Sequence, residues 1–556
     1  MTAAPVPPVA TERAIRAIVG AGHPAHELDL AMTPPPAPSD ALTRRRLLGG
    51  AAAILASAGW GPWGCAVAPG GRFRDDPFTL GVASGDPWSD GVVLWTRLAP
   101  DPLAGGGMPA VPVPVRWEVA EDAAMRRLAA AGETVARPED AHAVHVEVGG
   151  LRPGRPYHYR FTAGGAASEI ARTRTAPAAE APVATLRFAS CGCQSYESGF
   201  YTALRRLAEE ELDFVVHTGD YIYEGARRPG RRWPAVRPHP DHDCVTLEQY
   251  RLRYALYKAD PDLRAAHAAH PFLCVFDDHE VANDWGGDGA PGGARGAAFL
   301  ARRAAAFRAY WEHMPLRRAQ RPAGAALRLY RRLAFGRLVS LNLCDTRQYR
   351  TPPPCAGKIA ERCAADSDPR ARMLGRDQSR WLADGLARSH ARWNVIAQQV
   401  PMMAFDRGTG SGPARHNMDA WDGYRAARGR LLRFLAAAEI ANPVVLAGDL
   451  HRAAAAALAG GAPDPAAPAL ATEFVNTSIS SGGDGRAITR TTRNWLARNP
   501  HVGFIGGLRG YCRFTVTSDA WQTDFRVLDR VTVAGAPART GASFAVEAGR
   551  PGAVGA

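Results

Sequence analysis

The feature that most restricts the fold is a set of apolar runs that each stop on side chains able to hold a metal. Phe214, Val215 and Val216 read as a buried strand, closed by His217-Thr218-Gly219-Asp220. Asp220 therefore lies at a carboxyl strand end, where open α/β sheets bind ligands, and Tyr223 follows in the next turn. Alone, such a segment also reads as a strand-to-loop turn with a capping Asp. Three further segments end in the same way: Phe188-Ala189-Ser190-Cys191-Gly192-Cys193, Val275-Phe276-Asp277-Asp278-His279-Glu280, and Val444-Val445-Leu446-Ala447-Gly448-Asp449-Leu450-His451. Together the strand ends offer sulfur, oxygen and nitrogen donors, which points to a metal-centred hydrolase.

The donor types divide by hardness. Thiolate and phenolate favour a ferric ion, whereas a set of carboxylates favours a hard divalent cation. Asp220 has two oxygens and can serve both. Two metals about 3.5–4 Å apart clamp the attacking and leaving oxygens of an in-line phosphoryl displacement. His279 follows two Asp at a strand end, placed to protonate a leaving group or hold a phosphate.

At 556 residues, with 46% hydrophobic and 22% charged side chains, the chain is globular and long enough for two or more domains. Its net charge of +13 suits anionic substrates such as phosphate esters. Two of the 67 basic residues are lysine, at 258 and 358. No Arg-rich run is interleaved with aromatics, so a specific nucleic-acid face is not expected. Nine Cys are too few for a disulfide scaffold; Cys274 and Cys344 read as core thiols, and Cys355 and Cys363 as a disulfide pair around a short loop.

Residues 1–68 hold a Pro- and Ala-rich extension and then Arg44-Arg45-Arg46 before a weakly apolar stretch. This reads as a twin-arginine export signal, which predicts passage through the twin-arginine translocase and a periplasmic or secreted product. Met32 stands closer to the arginines than Met1 and is a second candidate start. Residues 73–176 show short alternating segments between Pro and Gly turns, as in a β-sandwich. There, Leu151-Arg152-Pro153-Gly154-Arg155-Pro156-Tyr157 resembles the corner of fibronectin-type domains, in which a Tyr hydroxyl ties back to the backbone. After a linker at 175–182, strands alternate with helical patterns over 183–535, the clearest helices being 200–211 and 297–313. The Arg-rich stretch 295–318 reads as a solvated helix face, and 536–556 as a C-terminal tail.

The motifs resemble those of PhoD-type alkaline phosphatases, in the calcineurin-like metallophosphoesterase superfamily. The matches include Phe78-Thr79-Leu80-Gly81-Val82-Ala83-Ser84-Gly85-Asp86-Pro87, Leu94-Trp95-Thr96-Arg97 and Cys193-Gln194-Ser195-Tyr196-Glu197-Ser198-Gly199. They continue in Gly219-Asp220-Tyr221-Ile222-Tyr223-Glu224, Phe276-Asp277-Asp278-His279-Glu280, Asp345-Thr346-Arg347-Gln348-Tyr349, Trp421-Asp422-Gly423-Tyr424 and Gly448-Asp449-Leu450-His451. The resemblance implies an α/β (α+β) sandwich of mixed sheets flanked by helices, preceded by a small all-β fibronectin/Ig-like sandwich. It further implies Fe(III) and Ca(II), with hydrolysis of phosphate monoesters and diesters through a metal-activated hydroxide. By position, Cys193, Asp220, Tyr223 and His451 would hold the iron, Asp220, Asp278 and Asp449 would serve the calcium side, and His279 would be catalytic. The expected partners are small phosphate esters, with phospholipid or teichoic-acid-like diesters as the wider class, and the expected state is a monomer.

Two alternatives stand beside this reading. A phospholipase D-like phosphodiesterase shares the family, and a non-catalytic secreted binding protein with the β-sandwich as its working part lies outside it. Within the site, Cys191 and Cys193 compete: strand alternation points both the same way, the apolar run leads straight into Cys191, and the longer ungapped match follows Cys193.

Overall fold

A computed structural model describes residues 73–227, 235–355, 357–460 and 468–556. The twin-arginine stretch and both candidate starts lie outside the described residues. The N-terminal region contributes β1 (Val82–Trp88), β2 (Gly91–Arg97), β3 (Val113–Ala120), β4 (Leu128–Ala136), β5 (Ala143–Val148), β6 (Pro156–Ala163), β7 (Ala166–Ala167) and β8 (Ala171–Arg174). The first long βα stretch adds β9 (Leu186–Cys191), β10 (Phe214–His217) and β11 (Pro271–Cys274). A second adds β12 (Arg331–Phe335), β13 (Val339–Leu343), β14 (Ile359–Ala360), β15 (Trp393–Ala397), β16 (His416–Asn417), β17 (Pro443–Ala447), β18 (Ala453–Leu458) and β19 (Ala471–Val475). The chain ends with β20 (Val502–Gly506), β21 (Arg509–Val516), β22 (Ala520–Leu528), β23 (Ala538–Glu547) and β24 (Arg550–Gly555).

Two large sheets result. One runs β24-β23-β22-β21-β9-β10-β11-β1-β2-β5 and the other β12-β13-β15-β17-β19-β18-β20. In the first, β9, β10, β11 and β1 are parallel. In the second, β13, β15, β17 and β19 are parallel. Strands buried on both faces carry unbroken apolar runs, as Val444-Val445-Leu446-Ala447 does.

The sheets face each other across an aromatic layer. Phe214 of the first stacks on Phe335 of the second with ring centroids 4.2 Å apart, and Phe188 stacks on Phe214 at 4.7 Å. Truncating Phe214 to Ala would cost about 3–5 kcal/mol at such a site. The alternate side chains of the second sheet, Ile396, Val445 and Ala447, pack outward on α5 (Gly375–Ala387) and α6 (Arg425–Ala437). Against the first sheet lie α1 (Thr202–Ala208), α2 (Leu247–Lys258), α3 (Pro261–Ala269) and α4 (Gly296–His313). Thr246 and Gln249 form a reciprocal capping box on α2, and Asp260 caps α3 with Pro261 at the first position.

Several expectations change. The strands of 73–176 lie in two layers: β1, β2 and β5 join the first central sheet through the β1–β11 pair. Their other face packs on a sheet of β4, β3, β6, β7 and β8. The corner reading holds, because Arg152 N–H donates to Tyr157 Oη at 2.9 Å. The stretch 536–556 is no tail: β23 and β24 complete the sheet edge, since alternating small and apolar residues pair with β22 whatever their Gly and Ala content. The predicted helix at 297–313 appears as α4, while 200–211 shortens to α1. The Arg-rich face of α4 docks rather than faces solvent. Arg308 pairs with Glu312 and Asp140, and Trp95 Nε1 donates to Glu312 O, fastening the N-terminal strands to the helix.

Candidate metal centre

The parallel strands of both sheets end on the same side, and their first loop residues converge. Cys193 follows β9, Asp220 follows β10, Asp277 and Asp278 follow β11, and Asp449 and His451 follow β17. Cys193, Asp220, Asp449 and His451 have left-handed φ of 58, 56, 60 and 54°, an unfavourable conformation for side chains with a Cβ. Such backbone strain is held at a site only when its surroundings over-determine it. Gly219, at φ +105°, permits a close approach: a Cβ there would lie 2.4 Å from Asp277 N. Glu280 locks the two turns together, its carboxylate accepting N–H from Asp220 at 3.1 Å, Tyr221 at 2.6 Å and Asp277 at 2.8 Å. Burial pushes the Glu280 carboxyl up to about 8 against those three donors.

The expected donors meet. Cys193, Asp220 and His451 bring S, O and N atoms within 4.8 Å of one another. Tyr223 Oη donates to Asp220 Oδ2 at 2.7 Å and lies 3.2 Å from His451 Nε2. Asp220 Oδ1 is buried without a hydrogen-bond partner among the described residues. Burial, with Asp220 next, raises the Cys193 thiol and the Tyr223 phenol well above their ordinary ranges. Cys191 ends β9 and points into the apolar core, whereas the left-handed turn at Cys193 takes that residue off the strand. Strand alternation does not relate the two cysteines, because β9 ends at Cys191.

Asp277, Asp278 and Asp449 form a second group, and Asp278, Asp284 and Asp419 a third. Here the protein supplies its own cations. The fully buried Arg347 pairs with Asp277 at 2.5 Å and Asp419 at 2.7 Å, with Asp449 at 3.7 Å and Asp278 at 3.8 Å. Arg350 also binds Asp419, and Lys358 binds Asp284. Although burial opposes ionisation of Asp278, Arg347 and His279 hold its carboxyl well below the usual range.

His279 forms a fourth group with Asp220 and Asp278. Its Nδ1 lies 2.7 Å from Glu224 Oε2, and its ring stacks on Tyr223 at 4.1 Å. Against the effect of burial, Asp278 and Glu224 raise the imidazole well above its ordinary value, favouring the protonated ring. Nε2 is then the proton-bearing nitrogen left for a ligand.

All seven expected site residues therefore fall at one place. The roles of Glu224, Glu280, Asp277, Asp284, Asp419, Arg347 and Lys358 were not read from the sequence. Arg347 could have been found, because the alternating strand Val339 to Leu343 closes on an acid, Asp345, two residues before it. Asp419 follows only the two-residue strand β16 and leaves no such signal.

Family models place these elements. Residues 188–525 match the PhoD-like phosphatase model, and 64–177 match the PhoD-like phosphatase N-terminal domain. Alkaline phosphatase D of Bacillus subtilis (strain 168) is 45% identical over 484 residues, covering 86% of this chain and 82% of that protein. A solved structure described as "Structure of PhoD" is 44% identical and superposes with a TM-score of 0.85, covering 87% of this chain and 93% of the other. With its strand-end donors, both family segments and the relative's length all accounted for, the chain belongs to the PhoD-like phosphatase family.

Proposed function

We propose that this phosphatase is an exported alkaline enzyme that hydrolyses phosphate monoesters and diesters with a ferric ion and calcium. The observation that carries the reading is the buried, unpartnered Asp220 Oδ1 amid Cys193, Tyr223 and His451. Among the described residues no side-chain cation is paired with that oxygen, and burial disfavours the ionised thiol and phenol unless a metal takes the place of their protons. Soft and phenolic donors on this side suit Fe(III), and the oxygen-only set of Asp220, Asp278 and Asp449 suits Ca(II). When bound, such a pair supplies Lewis acidity and an activated water.

The chain's own residues do the rest. Glu280 holds the donor turns in register, Arg347 offsets the surplus carboxylate charge, and Glu224 orients His279. His279 keeps a proton at Nε2 for a phosphoryl oxygen or the leaving oxygen. The N-terminal β-layer, read as fibronectin/Ig-like, braces the sheet that carries this site, and the whole has the metallophosphoesterase arrangement. Export by the twin-arginine route rests on Arg44 to Arg46. Among the described residues no helix is long and apolar enough to cross a membrane. The protein acts as a monomer on small phosphate esters.

The test is metal analysis of purified protein with assays on one monoester, one diester and one phospholipid side by side. Iron and calcium together with a visible phenolate-to-iron band are expected. A colourless, iron-free protein that is fully active would sink the iron assignment. Phospholipid turnover above both simple esters would favour the phospholipase D-like alternative.

A further inference from the structure

Lys358 pairs with Asp284, and its surroundings suit a further role. It sits between Cys355 and Cys363, which form a disulfide with Cα atoms 5.9 Å apart. The loop is fixed a second time from outside: Met418 N–H donates to Lys358 O at 2.7 Å, and β14 pairs with β16. Two constraints thus bring an ammonium group to Asp284 Oδ1, while the side chain stays 40% exposed. Asp284 is itself tied inward, its N–H donating to Asp278 Oδ2 at 2.7 Å and its carbonyl accepting from Arg350 at 2.9 Å. Asp449, Asp419 and Asp278 also act electrostatically on the ammonium. Lys358 therefore stands on the acidic side of the centre, where Asp449 retains 10% exposure, with His279 at 19% between the two sides.

The residue type matters in a chain whose basic side chains are otherwise arginine, apart from Lys258. An Arg would engage Asp284 through its planar fork and remain there. An ammonium carries three donors on a flexible stem, so one can bind Asp284 while others face an incoming anion. A phosphate monoester above pH 7 carries close to two charges over three terminal oxygens, because its second ionisation lies near pH 6. A diester carries one charge over two, with an alkoxy group in place of the third oxygen.

The geometry points to Lys358 as a substrate-binding residue that recognises the additional anionic oxygen of a phosphate monoester, held in place by the disulfide-closed loop. The inference rests on the phosphatase reading above and deepens it to a substrate preference. Replacing the ammonium removes attraction for a monoester and costs a diester much less.

The experiment compares wild type, Lys358→Met, Lys358→Arg and the double variant Cys355→Ser/Cys363→Ser. Substrates are p-nitrophenyl phosphate and bis(p-nitrophenyl) phosphate; inorganic phosphate binding is read by calorimetry and metal content by elemental analysis. Lys358→Met should lose ~10- to 100-fold more kcat/KM on the monoester than on the diester, mainly through KM. It should weaken phosphate binding in step, with metal content unchanged. Lys358→Arg should recover part of the loss, and the double Ser variant should shift both readouts the same way by less. Equal losses on both esters, unchanged phosphate binding, or loss of metal in Lys358→Met would overturn the proposal. If wild type cleaved neither ester the phosphatase reading would fail, whereas weaker phosphate binding by Lys358→Met would still uphold Lys358 as the anion contact.

Discussion

The two sides of the centre solve their charge problem in opposite ways. Asp277, Asp278, Asp284, Asp419 and Asp449 crowd one side, and Arg347, Arg350 and Lys358 neutralise them from within the protein. Cys193, Asp220, Tyr223 and His451 form the other, where Asp220 Oδ1 has no partner and burial holds the thiol and phenol protonated. The contrast teaches that an acidic cluster is weak evidence for a cation until its internal counter-charges are counted. The side with fewer negative groups makes the stronger case for a metal.

The largest effect should come from the uncompensated side. Cys193→Ser should remove iron, the visible band and nearly all activity while the fold persists, and Cys191→Ser should keep most of each. Iron analysis and a phosphatase assay check this, and the reverse pattern would break the comparison. Between the two sides, His279→Ala should lower turnover by ~10²–10⁴-fold with metal content nearly unchanged. Loss of metal in that variant would make His279 a ligand instead of a proton carrier.

On the compensated side the penalty should appear as stability. Arg347→Met leaves Asp277 and Asp419 short of a buried counter-ion and should cost about 3–5 kcal/mol in denaturant unfolding of the metal-free protein. Tyr223→Phe, across the centre, should cost only about 1 kcal/mol in the same measurement. Equal costs would show that the two sides are not electrostatically distinct.

A buried cation away from both sides sharpens the point. Lys258 lies over the Trp95 ring at 4.0 Å, forms no ion pair among the described residues, and burial lowers its pKa from 10.5 to about 7. Between these values the unfolded chain binds the proton and the folded chain does not, so stability rises with pH from about 7 towards 10. The rise should be at most about 4 kcal/mol and should vanish in Lys258→Met, measured by unfolding across that range. A flat wild-type profile would mean that Lys258 keeps its proton in the fold.

Much of the centre was legible because its donors stand where apolar runs stop. A strand that must be buried announces itself by composition, and whatever polar group follows is delivered to the sheet's carboxyl edge. Such strand ends locate Asp220, Asp278, Asp449 and His451, and through the next turn Tyr223, and leave Cys191 and Cys193 open. They do not reach Asp419 or Lys358, which arrive on irregular chain held by β16 and a disulfide. Local composition also misjudged the C-terminal residues: Gly, Ala and Pro suggested a tail, yet β22 offered an unpaired edge that β23 and β24 complete.

The sequence by itself determined the kind of chemistry, because donor type and strand-end position are local properties of the chain. Only the tertiary structure decided which cysteine turns towards Asp220, which carboxylates are already neutralised, and where the N-terminal layer joins the sheet. Those outcomes depend on a single left-handed turn at Cys193, on Arg347 reaching acids from three other segments, and on the β1–β11 pairing. The last two are contacts between residues far apart in the chain, and the turn is held by a third, Cys193 N–H donating to Gly219 O at 3.1 Å; no window of sequence contains both partners.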